Sequence, residues 1–104
     1  MAKEINKDNF YTVYYWMSTE LKLSGVEKDL YALIYGYYKN YDKECFYSYS
    51  QLAEITGTYI NRVIRALEKL SSEGLIEIQK KSNGKNYYSI VEDRLPREAG
   101  DQVF

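Results

Sequence analysis

The chain has 104 residues, 45% of them hydrophobic and 28% charged, with a formal net charge of −1, which allows one domain with one modest core. With no histidine and a single cysteine, it cannot assemble the usual zinc sites, Ser-His or Cys-His nucleophile pairs, or an intrachain disulfide. No run approaches a membrane span, no Gly-rich phosphate loop of standard spacing occurs and no signal-peptide pattern opens the chain. The expectation is a soluble, cytoplasmic, non-enzymatic protein without cofactor, metal or membrane contact.

Residues 1–9 are polar and expected to be disordered. From Phe10 to Leu23, apolar residues recur at Phe10, Tyr14, Met17 and Leu21, with Val13 and Trp16 alongside, which predicts an amphipathic helix. The β-branched and aromatic content of Tyr11 to Trp16 also permits a short strand. So aromatic a cluster must pack on the domain or on another chain, and residues 10–21 are the seam through which a homodimer would form.

Ser24 to Glu27 has the form of a capping box, and Glu27 and Asp29 suit the positive end of a helix dipole. Val26, Leu30, Leu33, Ile34, Tyr37 and Tyr41 then give a helical period ending near Asn40. Tyr37 falls on its core face, Tyr35 and Tyr38 on its flanks. Gly36 inside it costs about 1 kcal/mol relative to alanine, so a close helix crossing is expected there.

Phe46 to Tyr49 permits a very short strand, with Cys45 a small semi-buried residue before it. Ser50 or Ser48 caps the next helix, which runs through Ile55. Residues 49–74 then read as a helix-turn-helix. Ala53 is small where a second helix crosses it, Gly57 can take positive φ and stop the first helix sharply, and Val63 fills the angle between the two. In the second helix, 58–73, the stripe Ile60, Val63, Ile64, Leu67 and Leu70 faces the core. The opposite face is Thr58, Arg62, Arg65 and Lys69, with Asn61 on one flank and Ala66 and Tyr59 on the other. Arginine can bond guanine and asparagine adenine in a bidentate way, while lysine and threonine can hold phosphates. Thr58, Tyr59, Asn61, Arg62 and Arg65 are therefore candidate major-groove residues, and Lys69 a backbone contact.

Gly74 is expected to cap this helix at its C-terminus. Leu75 to Lys80 alternates Leu/Ile with Glu/Gln, and Tyr87 to Val91 answers it. Asn83-Gly84 between them predicts a type I′ hairpin turn, with both residues at positive φ. Lys80, Lys81 and Lys85 surround that turn, a basic wing over 80–86. Residues 58–91 carry six basic and three acidic side chains, whereas 1–57 and 92–104 are each net acidic. The positive charge thus collects where phosphates would be met.

The fold class that follows is mainly α with a small β-hairpin: a winged helix-turn-helix of three core helices plus an N-terminal helix and a wing. The domain spans 10–91, and 92–104 is expected to be a flexible acidic tail. Thr12-Val13-Tyr14-Tyr15-Trp16-Met17, Leu21-Lys22-Leu23-Ser24-Gly25 and Leu33-Ile34-Tyr35-Gly36 resemble small bacterial, phage and plasmid winged-helix proteins. So do Gln51-Leu52-Ala53, Gly57-Thr58, Val63-Ile64-Arg65-Ala66-Leu67 and Glu73-Gly74-Leu75-Ile76. In that family the domain often forms the N-terminal part of replication-initiation proteins, so the resemblance implies double-stranded DNA as partner and a role in replication initiation or transcription regulation. The family usually has polar or basic residues at the second and third positions after the threonine. Here they are Ile60 and Asn61, which leaves Arg62 and Arg65 as the groove-reading arginines.

Thirteen tyrosines exceed what a small core can bury, and most are explained by aromatic packing with hydroxyls at the water boundary. Tyr59 alone is a candidate contact. A second function stays open. Near-neutral charge, an acidic tail and surface tyrosine also suit a protein-interaction module on the same frame, such as a phage-encoded adaptor or inhibitor of a host nucleic-acid enzyme.

Overall fold

The computed structural model describes residues 11–41 and 44–97. The expected disorder of 1–9 and the last residues of the expected tail lie outside them. The elements in order are α1 (Tyr15–Thr19), α2 (Gly25–Tyr41), α3 (Tyr49–Thr56), α4 (Ile60–Ser72), β1 (Ile76–Lys80) and β2 (Asn86–Ile90), followed by a 3-10 turn at Glu92–Arg94. This is a winged helix-turn-helix: mostly helical, with one antiparallel hairpin.

The first helix is much shorter than the periodicity of 10–23 predicts. Tyr11 to Tyr14 are neither helix nor strand, and Lys22 takes φ 59, a left-handed conformation that non-glycine residues seldom adopt. The aromatic cluster nevertheless packs inward. Trp16 and Met17 are fully buried, and the Trp16 ring stands edge-on to Tyr35 at 5.1 Å. Of the expected dimer seam, Val13 and Tyr15 remain exposed.

The capping box foreseen at Ser24 is not made. Gly25 enters α2 at φ 60, and the Glu27 carboxylate turns instead to Lys69 of α4, at 3.6 Å. Within α2 an unbroken run from Leu30 to Tyr35 is buried, because helices lie on more than one side of it and β2 packs there as well. Tyr31 and Tyr35 therefore belong to the core, and Tyr37, expected there, is half-buried. Its hydroxyl donates to that of Tyr47 at 2.9 Å. Gly36 lies at no close crossing, since a Cβ added there would meet nothing within 4 Å.

Cys45 forms the short bridge to the sheet, one residue earlier than expected, exchanging backbone bonds of 2.9 and 2.8 Å with Tyr88. In the hairpin, Ile76 pairs with Ile90 and Ile78 with Tyr88. Ile76, Tyr88 and Ile90 face the core while Glu77 and Gln79 face water, the alternation expected of a half-buried strand. The chain stays attached beyond Val91, inside the segment expected to be a tail. The Val91 amide donates to the Leu75 carbonyl at 3.1 Å, Arg94 Nη1 donates to the Glu73 carbonyl at 2.7 Å, and Leu95 packs on the core.

Burial of acidic hydrogens makes stability fall at alkaline pH. Desolvation pushes the Cys45 thiol up from 9.0 to about 11 and the Tyr88 phenol up from 10.0 to about 12, and Tyr31 and Tyr37 shift the same way. A folded-state pKa above the unfolded value favours folding fully below the unfolded value, and that contribution is lost as pH rises toward the folded one. The thermal midpoint should hold to about pH 9 and fall through pH 11, and Cys45→Ala should flatten the first part of the fall in a pH series of thermal melts. In denaturant titrations, Gly36→Ala should stabilise by about 0.5–1 kcal/mol, since open space surrounds that helical position. Gly57→Ala, at φ 72, should destabilise by about 1 kcal/mol or more.

Candidate nucleic-acid interface

The helix pair is set by its two ends and one turn. Ser48, one of the two serines expected to cap, starts α3: its hydroxyl accepts from the Gln51 amide at 3.1 Å, and the Gln51 side chain accepts from the Ser48 amide at 3.0 Å. Gly57, at φ 72 and ψ 34, stops the helix, donating to the Glu54 carbonyl at 3.3 Å while Thr58 N–H reaches back to Ala53 at 2.9 Å. These two bonds form a Schellman motif, so the chain leaves α3 sharply. Ala53 and Val63 are buried in the angle, as their sizes require. Gly74, at φ 77, closes α4 in the same way, with the Leu75 amide bonded to the Leu70 carbonyl at 3.0 Å.

The second helix begins two residues later than 58. Thr58 and Tyr59 precede it: Tyr59 is extended and caps with its backbone only, its carbonyl accepting from Arg62 and Val63, while its ring is 77% exposed. The rotation of α4 also differs from the sequence wheel. Val63, Ala66, Leu67 and Leu70 are buried, whereas Ile60 is 44% exposed and Ile64 only half-buried. Ala66, expected outside, is inside. The helix is turned by roughly 50° from the expected stripe, at about 100° per residue. A small residue at the contact lets α4 sit close to its neighbours, and α2 is the helix it packs on most extensively.

The turn resets the outward face. Its centre is Asn61, Arg65, Glu68 and Ser72, with Arg62 and Lys69 along one edge and Ile60 and Ile64 along the other. Asn61, Arg62 and Arg65 are exposed, and among the described residues neither arginine has an ion-pair or hydrogen-bond partner. Lys69 is held by Glu27. Glu68, absent from the residues expected on this face, sits there as well and is exposed; a carboxylate can accept from a cytosine amino group.

The wing turn is not type I′. Only Gly84 has positive φ, at 84, and the bonds Gly84 N–H to Lys81 at 2.8 Å and Lys81 N–H to Lys85 at 3.0 Å close a three-residue loop, Ser82-Asn83-Gly84. This is a type I turn followed by a left-handed glycine, the next commonest hairpin connection. Asn83 steadies it by accepting from the Lys85 amide at 2.9 Å. The three wing lysines then separate. Lys81 pairs with Glu44 at 3.2 Å and lies 4.5 Å from the centre of the Tyr87 ring. Lys80 and Lys85 instead line an open groove of about 450 Å³ between the wing and the start of α3, beside Tyr47, Tyr49 and Asn86. Asn86 Nδ2 donates to the Tyr49 hydroxyl at 3.0 Å across it.

Residues 21–76, more than half of the chain, match the helix-turn-helix domain family. The chain belongs to that family. No curated protein and no solved structure matches it. Helix-turn-helix membership supports DNA as the partner. No helix among the described residues is long and apolar enough to cross a membrane, and no cluster there could hold a metal ion.

Glu44 holds the Lys81 ammonium that a phosphate would otherwise meet. Glu44→Gln should therefore raise duplex affinity about two- to fivefold at low salt, and the gain should shrink as salt rises, in a fluorescence-anisotropy titration.

Proposed function

We propose that this helix-turn-helix domain is a non-enzymatic, sequence-reading duplex DNA-binding protein. The N-terminal half of α4 lies in the major groove, with Asn61, Arg62 and Arg65 at base edges and Thr58 and Tyr59 on the flanking backbone. The wing, through Lys80 and Lys85, lies along a phosphate backbone, with Lys81 and Lys69 contributing once their internal carboxylates are screened. The observation that carries this reading is the pair of exposed guanidinium groups, without internal partners among the described residues, Arg65 opposite the buried stripe of the same helix and Arg62 at the edge of the outward face. An unpaired guanidinium presents a planar fork of donors that suits guanine O6 and N7 or a phosphate. By the resemblance in its sequence, the protein acts in replication initiation or transcription regulation.

The competing module reading is favoured by the exposed Val13 and Tyr15 near the start of the chain, outside the helix-turn-helix. A duplex titration at two salt concentrations separates the two. DNA binding should weaken steeply with salt, whereas docking on a protein partner should not. Lys85→Ala should weaken all sequences alike and lower the salt slope by about one. Arg65→Ala should cost about 1–3 kcal/mol on a preferred sequence and relax the preference. Salt-insensitive capture of a protein with no duplex affinity would overturn the proposal.

A further inference from the structure

The edge of the outward face of α4 opposite Arg62 and Lys69 is aliphatic. Ile60 is 44% exposed, and Ile64, one turn on and on the same side, is half-buried. Among the described residues, the half-buried side chains that pack on the core include Val26, Ile55 and Ile78, but not Ile64. Tyr59, 77% exposed, stands just ahead. The first turn of the helix thus carries apolar groups along one edge of the face that presents Asn61 and Arg65.

We propose that Ile60, backed by Ile64, reads thymine methyl groups in the major groove. This inference rests on the DNA-binding reading above and deepens it. The floor of the major groove is donors and acceptors apart from one apolar group, the thymine 5-methyl. An occupant of this surface must bond Asn61 and the unpaired Arg65 guanidinium at the centre of the outward face and cover the isoleucines along its edge. Duplex DNA carrying thymine opposite the first turn of α4 does both. An apolar protein surface would cover the isoleucines but strand the guanidinium charge. The protein therefore prefers sites in which a thymine lies next to the base contacted by Asn61 or Arg65.

The test removes the methyl and nothing else in the groove. A duplex enriched from a random pool by the wild-type protein is synthesised with thymine or with deoxyuridine throughout, and both are titrated against wild type, Ile60→Ser and Ile60→Val. Wild type should bind the thymine duplex about three- to fivefold more tightly for each methyl covered. Ile60→Ser should bind both duplexes equally, at the wild-type affinity for the uracil form, and Ile60→Val should keep most of the discrimination. Equal binding of both duplexes by wild type, or discrimination that survives in Ile60→Ser, overturns the inference and leaves the DNA reading standing. Absence of any duplex binding overturns both. A lower sedimentation mass for Ile60→Ser than for wild type would assign the edge to a contact between proteins and overturn it as well.

Discussion

The rotation of α4 about its own axis is the constraint on which the interface depends. Val63, Ala66, Leu67 and Leu70 are all buried, and they hold the helix against α2, α3 and β1. Because side chains emerge about 100° apart, locking those four decides where every other residue of the helix points. Arg62 and Arg65 face outward as a consequence, and Ile60 is left at the edge. A larger residue at 66 would push α4 away from its neighbours or turn it. The arrangement of the whole surface would change although none of its own residues had.

The wing is held by aromatic contacts as much as by its ladder. Tyr37 of α2 meets Tyr47 and Phe46 edge-on, Phe46 meets Tyr87 of β2, and Lys81 lies against the Tyr87 ring. A two-stranded hairpin alone is marginal in water. The chain of rings, with the Cys45–Tyr88 bridge, ties it to the central helix. This gives the abundant tyrosine a structural role. The rings stiffen the path between α2 and the basic groove; the Tyr37 hydroxyl bonds that of Tyr47, and the Tyr49 hydroxyl accepts from Asn86.

Features that depend on a few adjacent residues were legible in the sequence. A serine cap before α3 (Ser50 or Ser48, the second being the one made), the glycine stops at 57 and 74, the alternating wing strands and the buried Ala53 and Val63 follow from local chemistry. What was missed depends on neighbours distant in the chain. Periodicity assigned Ile60 inward and Ala66 outward, because hydrophobicity alone favours isoleucine; close packing on α2 favours alanine. The Ser24 box is not made: Gly25 enters the helix at φ 60 and Glu27 pairs with Lys69, a residue far away in sequence. Asn83-Gly84 signalled the hairpin but not its turn, since the same dipeptide fits a two-residue loop and a bulged three-residue loop. At the interface, the arginines and wing lysines were legible as residues. The internal pairing of Lys81 and Lys69 was not, because the carboxylates responsible lie 37 and 42 positions away in sequence.

The most direct test of the central claim is backbone amide chemical-shift mapping as duplex DNA is added at low salt. The account places the largest changes at Thr58 to Arg65 and at Lys80 to Asn86, with the buried run of α2 and the α1 segment nearly silent. Changes concentrated at Val13 to Thr19, with α4 unmoved, would contradict it.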